Sequence, residues 1–430
     1  MLQITDKSKC CGCNACVQRC PKQCIVMHED EEGFLYPQVD VTLCVDCGLC
    51  EKVCPMLAQN DVKKALQIFA AKNKNEHQRL RSSSGGIFIL LAEQTIKMGG
   101  VVFGARFDKN WEVEHCYVET IEELEPLMRS KYVQSRIGNT YKEAEQFLKE
   151  GRRVLFVGTS CQILGLHKFL RKDYNNLLSV DFICHGVPSP GVWRKYLQEI
   201  KNNASLCEAA GKNTVLPFSL KFMPVITGIN FREKGLGGYG WKKFGFVVHG
   251  KSPLKGDQNS VLLSTIFNEN AFMKAFLYNF ILRPSCYSCP VKKGKSESDL
   301  TIADFWGIET IYPDFDDDKG VGVMFVHSEK GSNILNLIDI DLLSVKYDEA
   351  IKNNPAYYTS VAVPYGRVRF WKFFNTGKTL VESTLLALFS PLSIRIKTKV
   401  VLILKKIIGV KNILKSASNL NGNLNCSKEL

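Results

Sequence analysis

Two short cysteine runs near the start constrain this chain more than anything else in it. The first is Cys10-Cys11-Gly12-Cys13-Asn14-Ala15-Cys16-Val17-Gln18-Arg19-Cys20-Pro21; the second is Cys44-Val45-Asp46-Cys47-Gly48-Leu49-Cys50-Glu51-Lys52-Val53-Cys54-Pro55. Each has the form C-x2-C-x2-C-x3-C-P. Three thiolates this close can wrap three irons of one cubane. The fourth, one helical turn further on and followed by proline, reaches the other cluster. The spacing therefore assigns Cys10, Cys13, Cys16 and Cys54 to a first 4Fe–4S cluster, and Cys44, Cys47, Cys50 and Cys20 to a second. Structural zinc needs only four ligands and gives no reason for two C-x3-C-P endings.

This is the spacing of a bacterial two-cluster ferredoxin, so the stretch is expected to move electrons. Between the runs, Cys24 to Pro37 reads as a hairpin with an acidic turn at 29–32. That turn is expected to be a solvated loop, with the steering of a basic redox partner as the other reading. Cys11 and Cys24 fall outside the ligand pattern and are expected to be packing thiols.

At 430 residues the chain is too long for one core, and two to three domains are expected. Its 17 cysteines cluster in ligand spacings, which points to metal chemistry in a reducing compartment and not to a secreted disulfide framework. No basic stretch followed by an apolar run opens the sequence, and no eighteen-residue apolar run appears. The cytoplasm is the expected location. The net charge of +13 is uneven: residues 371–430 hold ten Lys/Arg against two Asp/Glu, whereas residues 1–60 hold five against eight. A basic tail suits nucleic acid or an anionic membrane surface. No nucleic-acid-binding motif is present, so no nucleic-acid partner is expected.

Further along, Gln67-Ile68-Phe69-Ala70-Ala71 reads as a strand, and Ser82-Ser83-Ser84-Gly85-Gly86 precedes an apolar helix from Ile87. Serine oxygens and open backbone N–H groups at a helix start suit a phosphate, although an ordinary capped helix is the simpler reading. Residues 101–106 and 113–118 read as a hairpin. Arg129 to Arg136 gathers basic, aromatic and hydroxyl groups on a loop or strand that could meet an anionic, ring-bearing cofactor or merely be solvated. Val154–Val157, a Gly-Thr-Ser-Cys161 turn, a helix from Gln162 and a strand ending at Cys184-His185-Gly186 form a βαβ unit. Its parallel strands would place both cysteines at one sheet edge, where sites in such folds lie. A helix N-terminus is expected to lower the Cys161 pKa.

With Cys286-x2-Cys289, these two cysteines could complete a four-thiolate site. A third 4Fe–4S cluster is the leading reading, against zinc or a nucleophilic Cys161. Gly235, Gly237, Gly238 and Gly240 around Tyr239 and Trp241 suggest a mobile aromatic loop, either a lid or a flexible hairpin. Asp299 to Gly307 reads as a strand ending in Phe305 and Trp306, which either stack on a ring or pack in the core.

Taken together, the two ferredoxin motifs, the Ser-Gly-Gly helix start, Lys131-Tyr132-Val133-Gln134-Ser135, Gly-Thr-Ser-Cys161-Gln, Cys184-His-Gly, Cys286-x2-Cys289 and Ala303-Asp-Phe-Trp-Gly resemble the family of coenzyme F420 hydrogenase/dehydrogenase beta subunits over about residues 1–330. The resemblance implies an iron–sulfur flavoprotein. FAD would lie near Ser83, Ser84, Gly85, Gly86, Lys131, Tyr132, Gln134 and Ser135, with the third cluster beside its ring. A flavin converts between two-electron and one-electron partners.

The expected fold class is α+β or α/β. A ferredoxin domain (1–62) precedes a mixed α/β domain whose flavin side is 63–150 and whose third-cluster and substrate side is 151–370. Residues 371–430 are expected to form a basic, apolar helical extension and a disordered tail. Within it, Leu380 to Leu414 either docks on the protein or touches a membrane peripherally. The expected function is electron transfer between a ferredoxin or other redox protein and a small organic molecule. That molecule is F420-like or belongs to a biosynthetic pathway such as cell-surface polysaccharide synthesis. A non-catalytic electron relay to a larger redox partner is the alternative, and no catalytic acid or base stands out.

Overall fold

A computed structural model of the chain describes residues 3–57, 60–210, 224–251 and 259–389. In the first stretch, two short helices, Ala15–Arg19 and Leu49–Lys52, start from residues in the left-handed conformation, Asn14 and Gly48. That reversal lets each cysteine run curl round its cavity. The expected hairpin is present, with β1 (Ile25–Glu29) antiparallel to β2 (Leu35–Val39).

The acidic turn departs from expectation in part: Glu29 and Glu31 stay exposed, yet all four carboxylates make ion pairs within the chain. Lys7 Nζ lies 2.7 Å from Glu31 and 2.9 Å from Asp30. Glu29 pairs with Arg194, and Glu32 with Arg367. The turn thus anchors the ferredoxin domain to the rest of the chain.

The larger domain is built on one eight-stranded sheet ordered β13-β3-β12-β11-β7-β6-β4-β5. Its strands are β3 (Gln67–Asn73), β4 (Val101–Phe107), β5 (Val113–Val118), β6 (Val154–Thr159), β7 (Leu177–Phe182), β11 (Leu300–Asp304), β12 (Gly322–Val326) and β13 (Ile340–Ser344). The middle strands β4, β6, β7 and β11 are mutually parallel, and antiparallel strands close both flanks. Strand β3 lies between β13 and β12, and β4 pairs with β6, so 63–150 and 151–370 form one body.

The alternation of strand side chains divides the core. Val154 and Phe156 face helices Thr140–Lys149 and Ser160–Leu170, while Leu155 faces helix Ile87–Lys97. Cys11, Cys13, Ala15 and Val53 join the first of these clusters, so the ferredoxin domain sits on that face.

A second, antiparallel sheet of β8 (Val225–Glu233), β9 (Gly245–Lys251) and β10 (Asn259–Ile266) shares an aromatic core that includes Trp193, Phe231, Phe246, Phe272 and Phe276. Phe370, Trp371, Phe374, Leu380 and Ala387 are buried in the same core. Residues 371–389 therefore belong to the domain, and helix Arg367–Asn375 runs straight through the expected boundary at 370. The rest of the expected extension and tail, 390–430, lies outside the described residues. Among the described residues no helix is long and apolar enough to cross a membrane.

Trp241 is also corrected by the structure. It is buried and stacks on Trp306 at 5.4 Å, and its Nε1 donates to Asp304 at 2.9 Å. The aromatic end of the glycine-rich stretch is fixed core, which excludes Trp241 as part of a moving lid.

Candidate metal centres

The ferredoxin domain encloses two cysteine-lined cavities. Cys10, Cys13, Cys16 and Cys54 line one, and Cys20, Cys44, Cys47 and Cys50 line the other. The two quartets match the crossed ligand sets read from the spacing, and the donors are of the kind a 4Fe–4S core takes. Cys11 lines the first cavity and Cys24 the second. Cys24 Sγ is 3.4 Å from Cys20 Sγ. Both extra thiols are buried, as expected of packing cysteines, yet each stands at a cavity wall. The rims differ: Cys47 is exposed, as are Val41, Leu43 and Val45 nearby, whereas Cys10 and Cys13 are buried.

The first cavity faces the larger domain through very close contacts. Gly12 has φ +70°, and a Cβ there would fall 2.8 Å from Nη1 of Arg283. A Cβ on Gly165, in the middle of helix Ser160–Leu170, would fall 3.2 Å from Cys13 Sγ. Glycine is what permits both approaches. Gln134 Nε2 donates to the Cys11 carbonyl at 2.9 Å. Arg283 donates to the Cys10 carbonyl at 2.7 Å and to Gln134 Oε1 at 2.9 Å.

The third cysteine group lies at the carboxyl edge of the parallel strands, as the βαβ reading expects. Cys161 is the second residue of the helix after β6, and Cys184 follows β7. The segment after Cys184 is tied to the one before Cys286: Ser189 N donates to Ile281 O at 2.9 Å, and Arg283 N to Val187 O at 3.0 Å. Val187 N also points at Cys286 Sγ, 3.4 Å away. Burial, then the neighbouring thiols, oppose ionisation here. Cys184 is pushed to about 12, and Cys286 and Cys289 are raised for the same reasons. Cys161 is pushed well above its usual value by Cys11 and by burial, so the expected lowering by the helix N-terminus is overridden. All four thiols are half-buried, and their raised pKa values argue against a free nucleophile. Among the described residues, no three His, Cys, Asp or Glu side chains close to the spacing of a single bound ion.

The residues expected near FAD divide into two groups. The Ser-Gly-Gly start serves packing: Gly85 O accepts from Asn73 N at 2.8 Å, and a Gly85 Cβ would strike the Ala71 and Gly322 backbone. Gly86, itself left-handed, caps the helix without a side chain. The serines do not cap it. Ser83 Oγ accepts from Ser130 N at 2.7 Å, and Ser84 Oγ donates to Val321 O at 3.1 Å. Gln134 and Ser135 face the ferredoxin side, where Ser135 Oγ accepts from Gln162 Nε2 at 3.0 Å.

Lys131 and Tyr132 turn the other way. Lys131 Nζ donates to Met128 O at 2.7 Å, and burial lowers its pKa to about 7. Tyr132 packs on Phe276 at 5.2 Å, and His185, next to Cys184, meets the same ring at 5.3 Å. Beyond Tyr132 lie three buried cations that sequence reasoning passed over, Arg79, Arg232 and Lys234. Arg232 pairs with Asp304 beneath Trp306, Arg79 pairs with Asp317, and each guanidinium keeps unpartnered buried donors. Lys234 Nζ donates to Arg79 O at 2.7 Å.

Comparison with known proteins bears on these centres. Residues 9–58 match the 4Fe-4S dicluster domain, and residues 151–346 match the C terminus of the coenzyme F420 hydrogenase/dehydrogenase beta subunits. The second of these matches covers just under half of the chain. Two proteins similar to this chain are a subunit of the F(420)H(2) dehydrogenase of Methanosarcina mazei and the coenzyme F420-dependent sulfite reductase of Methanocaldococcus jannaschii. The first is 22% identical over 42% of this chain and 55% of its own length. The second is 26% identical over 43% of this chain and 29% of its own length. The chain thus spans about half of the first and under a third of the second. Its ferredoxin part is 33% identical to an uncharacterized ferredoxin of Methanocaldococcus jannaschii, over 17% of this chain and 90% of that protein. A chain of the F420-reducing NiFe hydrogenase complex of Methanosarcina barkeri aligns with a TM-score of 0.40 and 15% identity, covering 66% of this chain and 85% of that one. The chain therefore carries a ferredoxin-type 4Fe–4S domain, followed by a region similar to the C terminus of those beta subunits.

Proposed function

We propose that the chain is a member of the coenzyme F420 hydrogenase/dehydrogenase beta-subunit family and an iron–sulfur flavoprotein oxidoreductase that exchanges electrons between a ferredoxin-type redox protein and a small organic molecule. The substrate is F420-like or belongs to a biosynthetic pathway such as cell-surface polysaccharide synthesis. The observation that carries this reading is the inward sequence of cysteine groups. The second quartet has an exposed member, Cys47, beside exposed Val41, Leu43 and Val45, a surface on which a redox protein can dock. In the first quartet Cys10, Cys13 and Cys16 are buried and Cys54 half-buried, with Cys13 against Gly165 and Cys10 against Arg283. The third group, Cys161, Cys184, Cys286 and Cys289, begins where Cys11 meets Cys161.

A third 4Fe–4S cluster fits that last group better than zinc, whose four sulfurs would have to lie about 2.3 Å from one ion. FAD suits the region beyond it. Tyr132 and Trp306 offer rings, and Arg79 and Arg232 offer buried unpaired donors for an anion. When bound, a flavin supplies the exchange between paired and single electrons. The chain's own contribution is to hold the donors in place and to exclude water.

Anaerobic purification with iron, sulfide and flavin counted per chain tests this. About twelve irons, four for each cubane, with one FAD are expected. About eight irons without flavin would remove both the third cluster and the flavin. A non-catalytic relay is the second reading, favoured by the dehydrogenase relative being named as one subunit of its enzyme. Flavin reduction by a candidate substrate on the isolated chain separates the two.

A further inference from the structure

We infer that Arg283 sets the reduction potential of the first cluster and makes it the higher-potential member of the ferredoxin pair. An electron arriving at the exposed second cluster then collects beside Cys161. The inference rests on the two ferredoxin clusters and not on the third cluster or the flavin.

Arg283 is 0% exposed. Its Nε donates to Cys10 O at 2.7 Å, its Nη1 to Gln134 Oε1 at 2.9 Å, and its Nη2 to Leu35 O at 2.9 Å. Nη2 also points at Cys10 Sγ, 3.6 Å away. The guanidinium lies over the Tyr36 ring at 4.2 Å. Among the described residues no carboxylate lies within ion-pair distance of it. Cys10, Tyr36, Cys11 and Cys286 are among the ionisable groups around it.

Arginine does not give up its proton in a protein, and a buried charge without a counter-charge is strongly destabilising. The counter-charge available here is a thiolate-ligated cluster through Cys10. A cation and an N–H donor on a ligand sulfur favour the state with one more negative charge, so they raise the potential. Burial alone acts the other way, because it disfavours added charge. Without Arg283 the buried first cluster would be the harder of the two to reduce.

The second cavity has a different environment. Both cavities are lined by ferredoxin-domain residues alone, but behind the first Arg283 donates to Cys10, whereas the single lining cation of the second, Lys22, is exposed, where water and salt screen it. One electron from a reduced redox protein can therefore enter at the second cluster and pass to the first. The donor loses one electron and the first cluster gains it.

The test is an EPR-monitored redox titration of the full anaerobic protein. Iron is counted first, and the two ferredoxin signals are assigned with Cys47→Ser, which marks the second cluster. In the unaltered protein the first cluster should have the higher potential. In Arg283→Gln its equilibrium constant for reduction should fall at least tenfold, which is about 59 mV for one electron, with the second cluster unmoved and iron retained. Arg283→Lys should keep most of the effect.

Gln134→Glu leaves Arg283 in place but sets a carboxylate against Nη1. It should shift the first cluster in the same direction, and it decides the matter if Arg283→Gln does not assemble. A first-cluster potential unchanged to within twofold in an iron-replete variant overturns the inference. So does an equal shift of both clusters. A protein without cubane iron would instead sink the ferredoxin reading itself.

Discussion

Gln134 donates from Nε2 to the backbone carbonyl of Cys11 at 2.9 Å and accepts on Oε1 from Arg283. One buried amide thereby ties the first cysteine loop to the segment that leads into Cys286. Although Lys131-Tyr132-Val133-Gln134-Ser135 is a single short motif, its two ends face different neighbours. Tyr132 turns to the aromatic and cationic region, and Gln134 to the ferredoxin domain.

Removing that amide should loosen the docking. Gln134→Ala leaves an N–H of the buried Arg283 without its acceptor, a loss of about 1–3 kcal/mol. Anaerobic urea unfolding should show a lower midpoint. An unchanged midpoint would mean that the contact contributes nothing.

The third cysteine group should account for its own share of metal. Cys161→Ser or Cys289→Ser should each lower iron by about four per chain and leave the two ferredoxin signals. Cys11→Ala, which removes a thiol outside both quartets, should keep all the iron. If Cys161→Ser abolished turnover with iron intact, the nucleophile reading would replace the cluster.

The flavin region is open to a similar test. Arg232→Lys keeps a charge opposite Asp304 but gives up the planar donor fork, and Tyr132→Leu keeps the bulk beside Phe276. Each should lower flavin per chain while iron stays constant. Full flavin occupancy in both would move the cofactor elsewhere.

Acid should destabilise the larger domain before the carboxylates titrate. His115 and His327 are buried, and desolvation depresses both to about 4, against about 6.5 in the unfolded chain. Between those values the unfolded state binds more protons, so stability falls as pH drops from about 6.5 to about 4. His115→Gln should flatten part of that fall in a pH series of thermal unfolding. An equally steep fall in the variant would refute the assignment.

The sequence by itself determined the local features. The two C-x2-C-x2-C-x3-C-P runs dictate which four thiols can share a cluster, because a cubane fixes the sulfur spacing and proline fixes where the fourth ligand turns away. The βαβ pattern around Cys161 and Cys184 likewise dictates a common sheet edge, since parallel strands all end on one side. Relations between distant segments were decided only in the tertiary structure. Nothing in the spacing says that Arg283 would lose its water beside Cys10, that Cys11 would stand against Cys161, or that the acidic turn would be consumed by Lys7, Arg194 and Arg367. The Ser-Gly-Gly start shows the same limit. A cap and a phosphate cradle share one pattern, and only the Ala71 and Gly322 backbone pressed against Gly85 shows that close packing requires the glycine. Burial and charge pairing depend on what the whole chain brings to one place, and local sequence carries no record of that.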